Sequence, residues 1–156
     1  MTKTAIFSFA QPEENNGYLL WQVSMRWQLL MNQRLRSVGL TLTQFSLLAG
    51  LYWLNRQGEL VTQQRLADYA NTDKMMTSKV VQTLAGKGLV QRVDNPQDGR
   101  AKHLHLTPAG ETVLAQANTL VEQVDRAFFR SIEPDTSLFN QLMQRLALPP
   151  HGPPVR

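Results

Sequence analysis

Six basic side chains, Lys74, Lys79, Lys87, Arg92, Arg100 and Lys102, fall in one stretch that holds two acids, Asp94 and Asp98. The chain carries 16 lysines and arginines against 12 aspartates and glutamates. Ten of each therefore lie elsewhere, and the formal net charge of +4 sits in this stretch. A local cationic excess on a neutral background suits a phosphate-rich partner, and a solvated basic face has the same composition. Hydrogen-bonding groups interleave with the charges. On a helical wheel of 100° per residue, Met75, Ser78, Lys79, Gln82 and Gly86 share one side, flanked by Lys74. Met76, Thr77, Val80 and Leu84 share the other, with Val81 at its edge. The first side has the chemistry of a helix lying in a major groove, where lysine can read guanine and glutamine adenine.

Two further places could touch nucleic acid. Arg100 and Lys102 stand at the tip and exit of a turn-rich segment, where a narrow minor groove or the backbone is in reach. Asp98 could brace the Arg100 guanidinium. Thr62 and Gln63 open a helix, whose N–H groups could hold a phosphate or simply be capped. Catalytic chemistry has no comparable footing. There is no phosphate-binding glycine loop, no nucleophile motif and no motif-bound pair of acids, so no enzyme and no catalytic residue is expected. With no cysteine, disulfides, thiolate metal sites and thiol redox chemistry are excluded. His103 and His105 lie at i and i+2 on one strand face, half a metal site without an evident third ligand. Exposure or backbone contact is the expected reading, with no metal and no cofactor.

The elements that position these residues follow from periodicity and caps. With 156 residues, 42% of them apolar, the chain has room for one core. No apolar run reaches the roughly 18 residues of a membrane span, so no membrane association is expected and a cytoplasmic location is the default. Residues 1–17 read as an N-terminal arm with one apolar cluster, Ile6 to Phe9. From Tyr18 to Leu35 a helix carries Leu20, Val23, Trp27, Leu30 and Met31 in a stripe, with Leu19, Trp21, Met25 and Leu29 off it. Burial on more than one side points to a subunit interface. Thr41 to Gln44 is a capping box for a second helix that Gly58 stops. Thr62 caps a short third helix ending near Ala70, and Asp73 opens a fourth that Gly88 closes. The period then becomes two, giving strands at 89–93 and 102–106 around a turn-rich loop. Thr107-Pro108 starts a long helix running to about Arg130. Glu133-Pro134 starts a last one ending near Leu148, and 149–156 read as a disordered tail. The predicted fold is mainly α with a small β-hairpin wing, a winged helix-turn-helix over 39–106. Helices at 18–38 and 107–148 remain for dimerisation.

This arrangement resembles the MarR (multiple antibiotic resistance regulator) family of bacterial transcription regulators. The carriers are Gly39-Leu40-Thr41, Gln64-Arg65-Leu66-Ala67, Thr77-Ser78-Lys79-Val80-Val81 with Leu84, and Lys87-Gly88-Leu89-Val90-Gln91-Arg92. Asp98-Gly99-Arg100-Ala101-Lys102 and Leu106-Thr107-Pro108-Ala109-Gly110 complete them. The resemblance implies a homodimer on a pseudo-palindromic operator in double-stranded DNA, acting as a repressor. It places the fourth helix in the major groove and Arg100 at the minor groove. Ala85-Gly86 departs from the Glu-Lys pair common there, and Gly99 from a basic residue. The absence of cysteine removes the family's thiol-peroxide sensing.

The resemblance also implies a small aromatic ligand, often anionic, between the dimer helices and the DNA-binding part. Trp21, Met25, Trp27, Trp53 and Tyr69 could line such a pocket, and at helical spacing they equally suit a core. Two other functions compete with the regulator. One is a winged-helix protein-interaction module without specific DNA binding, since the fold alone does not dictate function. The other is a small-molecule binding protein.

Overall fold

The computed structural model describes residues 6–94 and 102–147. Six α-helices and one hairpin follow in the order α1 (Asn16–Leu35), α2 (Leu42–Arg56), α3 (Gln63–Ala70), α4 (Lys74–Gly86), β1 (Val90–Asp94), β2 (Lys102–Leu106), α5 (Pro108–Phe128) and α6 (Thr136–Ala147). Side-chain caps set most of these boundaries. The Thr41 hydroxyl accepts from the Gln44 N–H at 3.2 Å, and the Gln44 side chain accepts from the Thr41 N–H at 3.1 Å. That is the reciprocal box the sequence predicts. Thr62, Asp73 and Thr107 cap α3, α4 and α5 by accepting from the N–H three residues on. Gly88, at φ +72°, ends α4 in the left-handed region where glycine is favoured.

Three boundaries differ from the sequence reading, each for a local reason. α1 starts two residues earlier than Tyr18 because the Asn15 side chain accepts from the Tyr18 N–H at 2.8 Å. β1 starts at Val90 rather than Leu89. The Leu89 N–H closes α4 on the Leu84 carbonyl, and its own carbonyl accepts from Thr107. The final helix does not begin at Glu133-Pro134. Residues Arg130–Asp135 form a 3-10 segment broken at Ile132 (φ −111°, ψ 15°), and α-helix resumes at Thr136.

α2 runs through the centre of the core with Leu47, Leu48, Leu51 and Leu54 all buried. Around it lie Leu66 of α3, Val81 and Leu84 of α4, Val61, Leu89, Val90 and Leu104 at the hairpin, and Leu114, Ala117 and Val121 of α5. α1 buries Met31 and Leu35 in this core and packs Trp27 and Leu30 against it. β1 and β2 pair antiparallel, Val90 opposite Leu106 and Asp94 opposite Lys102. The far edge of β2 is covered too. The Leu104 N–H donates to the Val61 carbonyl at 2.7 Å, making a one-residue bridge. The Asn55 side chain donates to the Leu104 carbonyl and accepts from the Leu106 N–H, both at 3.1 Å. An uncovered edge would expose unpaired backbone groups; here α2 closes it. Gly110 lets the first turn of α5 lie against Leu89, just before β1, since a Cβ there would overlap the Leu89 carbonyl oxygen.

Candidate nucleic-acid interface

α3, a tight turn and α4 form the helix-turn-helix, and the turn is built from hydroxyls. Asn71 adopts φ +50°, a left-handed conformation that asparagine tolerates. The Thr72 N–H then returns to the Ala67 carbonyl at 2.9 Å. Fully buried Thr77 donates its hydroxyl to the Asp73 carbonyl at 2.8 Å. Its oxygen therefore accepts from the Thr72 hydroxyl, also at 2.8 Å. This chain of hydroxyls fixes the angle at which α4 leaves the turn.

The buried face of α4 is Thr77, Val81 and Leu84. That is a correction of the wheel, which centred the core between Met76 and Leu84. Packing on α2 and α3 centres the buried arc on Thr77, between Leu84 and Val81, and Met76, 39% exposed, turns outward. The opposite side keeps the predicted set. Lys74, Met75, Lys79 and Gln82 are exposed, and Ser78 sits half-buried at the boundary. Met75 is 71% exposed.

The other predicted residues are less free. Thr62 is half-buried and its hydroxyl is used as the α3 cap, with half-buried Gln63 beside it. Lys102 faces Asp94 across the hairpin at 3.6 Å, an exposed pair of the kind that contributes little. Lys87 donates to the Gly39 carbonyl at 2.6 Å and ties the end of α4 to the turn before α2. Arg100 and Asp98 lie outside the described residues. His103 is 6% exposed and His105 half-buried, which corrects the exposure half of the expectation of exposure or backbone contact. Among the described residues no three His, Asp or Glu side chains group as metal ligands.

Two supports escaped sequence reasoning. Arg65 on α3 makes a two-point pair with Glu59, Nε to Oε2 at 2.7 Å and Nη2 to Oε1 at 3.0 Å. The hydrogen bond from Arg65 holds the Glu59 carboxyl below its ordinary value of 4.5, opposed by desolvation. Arg65 also lies 5.8 Å over the Tyr69 ring. Asn55 is the second support. Both act across loops, and neither belongs to a local pattern; the only sequence signal is that Arg65 lies within the Gln64 to Ala67 run.

The five aromatic and methionine candidates for a ligand pocket are not brought together within one chain. Trp21 and Met25 are exposed on the N-terminal half of α1. Trp27 donates from its indole to Asp125 at 2.8 Å and joins α1 to α5. Tyr69 lies on α3 against Gly50. Only Trp53 lines a cavity, about 410 Å³ between α2 and α5, with Phe45, Tyr52, Glu111 and Leu114. A wider groove of about 940 Å³ runs between α1 and the end of α5, lined by Arg26, Leu30, Arg34, Phe128, Arg130 and Phe139 among others. Of these only Leu30 was named from the sequence for its side chain, as part of the α1 stripe and not as a site residue. Arg26, Leu30 and Arg34 stand four residues apart along α1, a spacing that could have flagged them.

The sequence profile of the MarR family matches residues 40–102. The chain is 38% identical over 138 residues, 88% of its own length and 94% of its relative's, to the uncharacterized HTH-type transcriptional regulator YdcH of Bacillus subtilis (strain 168). The chain belongs to the MarR family. It is therefore a transcriptional regulator with a winged helix-turn-helix fold. Among solved structures, a mutant MarR from E. coli complexed with operator DNA superimposes with a TM-score of 0.73 at 24% identity, covering 85% of this chain and 93% of that one. CouR from Rhodococcus jostii RHA1 bound to p-coumaroyl-CoA gives 0.78 at 24%, covering 93% and 100%. Among the described residues no single helix is long and apolar enough to cross a membrane.

Proposed function

We propose that this MarR-family chain is a repressor that binds a pseudo-palindromic operator as a homodimer, with 39–106 as the DNA-binding unit. The observation that carries the reading is the outward face of α4. Lys74, Lys79 and Gln82 stand exposed on a helix whose opposite face is buried and whose exit angle is fixed by Thr72 and Thr77. Such a face gives phosphate attraction from lysine together with hydrogen-bond reach to base edges. The MarR chain solved with operator DNA has the same fold.

Dimerisation through 18–38 and 107–148 draws support from unburied apolar surface. α6 buries none of its residues, and Leu138, Leu142, Met143 and Leu146 are exposed. Leu19, Leu20, Trp21, Val23 and Leu29 are exposed on α1. Apolar faces of this extent mark an interaction surface. A two-fold dimer would set two copies of α4 about one DNA turn apart.

Release by a small aromatic ligand is supported by the cavity between α2 and α5, large enough for one ring. A ligand there would touch both the DNA-binding unit and the long helix. It can shift binding only by preferring one arrangement of the two. Glu111 is the charged side chain lining it, which favours a neutral phenol over a carboxylate.

The test is a gel shift of the full chain with a duplex selected from a randomised library, with competitor DNA at several salt concentrations. A steep fall of log K with log salt is expected, and Lys74→Ala should lower that slope by about 1. Joint alanine substitution at Lys79 and Arg100 should abolish specific binding. A flat salt dependence, or unchanged binding by the double variant, would overturn the reading in favour of a protein-interaction module.

A further inference from the structure

We propose that Met75 reads the 5-methyl group of a thymine, and so makes one T·A step in each half-site a requirement of binding. This rests on the reading of α4 as the helix that enters the major groove. Met75 is the most exposed large apolar side chain in residues 39–94, at 71%. It lies in the first turn of α4, which in helix-turn-helix docking is the end that meets base edges. It stands four residues before Lys79, and Met76 three before it, so the two thioethers flank the lysine stem on one surface.

The base identity follows by elimination. A thioether is at best a weak acceptor and donates nothing. Set against guanine O6 and N7, or against the cytosine or adenine amino group, it would strip water from a polar atom and return no bond. That is costly in a closed interface. The thymine methyl is the one apolar feature that a base presents in the major groove. Methionine is unbranched and adaptable, so it can follow that methyl without a fixed backbone approach. The α4 rise between positions 75 and 79 is about 6 Å. At about 3.4 Å per base pair, the thymine falls within about two pairs of the base that Lys79 contacts.

The experiment uses the full chain and the best duplex from selection on randomised DNA. Uracil, which lacks only the methyl, replaces each thymine in turn. We expect one position per half-site at which uracil weakens binding about fivefold, equal to about 1 kcal/mol at 1.4 kcal/mol per tenfold. Met75→Ala should bind the thymine duplex about fivefold more weakly and show no difference between thymine and uracil. Met75→Leu should retain the difference. Since Met75 is exposed, neither variant should change the melting temperature. Uracil tolerated at every position, or discrimination that persists in Met75→Ala, would overturn the proposal while leaving the regulator reading intact. If selection enriches no sequence, the regulator reading and this proposal fail together.

Discussion

Removing the Asn55 side chain should loosen the wing and lower stability by a predictable amount. Asn55→Ala deletes two hydrogen bonds, to the Leu104 carbonyl and from the Leu106 N–H. Both backbone groups lie on the edge of β2 that α2 covers. Each bond has a net value of about 1 kcal/mol, and an orphaned buried group costs about 1–3 kcal/mol. Asn55 is only half-buried, so water can reach part of the gap and the lower end applies. The sum is about 2–3 kcal/mol. For a chain of this size each kcal/mol moves the melting temperature by about 2–4 °C, so a fall of about 5–10 °C is expected in thermal unfolding followed by circular dichroism. Asn55→Asp is the sharper control. Its carboxylate still accepts from Leu106 but repels the Leu104 carbonyl, and it can donate only once protonated. The deficit against wild type should therefore be full at neutral pH and shrink as pH falls through the raised carboxyl pKa. A fall under about 1 °C for Asn55→Ala, or Asn55→Asp matching wild type at neutral pH, would refute the two-point clamp.

Three other outcomes can be checked on the same instrument. Gly110→Ala should cost at least about 2 kcal/mol, because the added Cβ meets the Leu89 carbonyl oxygen and backbone must shift; an unchanged melting temperature would contradict the close approach. Thr77→Val keeps the shape but deletes two hydrogen bonds, to the Asp73 carbonyl and from the Thr72 hydroxyl, while the Asp73 carbonyl keeps the Thr77 N–H. A loss of about 1–3 kcal/mol is expected, with Thr77→Ser restoring most of it. Glu59 has a folded pKa below 4.5. The stability it adds is present above pH 4.5 and vanishes as pH falls through the lowered value. The melting temperatures of wild type and Glu59→Gln should therefore differ near neutrality and converge in acid, and a constant gap would rule out the linkage.

The local part of this architecture was readable from the chain alone. Caps at Thr41, Thr62, Asp73 and Thr107 act within three residues, so their spacing carries their structure. The polar face of α4 was readable for the same reason. Its rotation was not, because two half-apolar arcs overlap on the wheel and only α2 and α3 decide which is buried. Met76 is the residue that this ambiguity misplaced. The Asn55 clamp spans 49 and 51 residues, and no periodicity records such a partnership. The five residues named for a ligand pocket do not meet within one chain, because aromatic composition says nothing of which neighbours meet. Trp27 is held by Asp125, 98 residues away.

The junction around Thr107 has a mechanical consequence. Its hydroxyl donates to the Gly88 carbonyl at 2.7 Å while accepting from Gly110, and its N–H donates to Leu89. The end of α4, the root of the hairpin and the head of α5 thus share one pivot. α5 has 21 residues and is about 31 Å long. A swing of about 10° at this pivot displaces its far end by about 5 Å. Conversely, a shift of a few ångströms around Phe128 would load the same pivot, because the end of α4 and the root of the hairpin are bonded to the head of α5. The helix has the geometry of a long arm hinged beside α4.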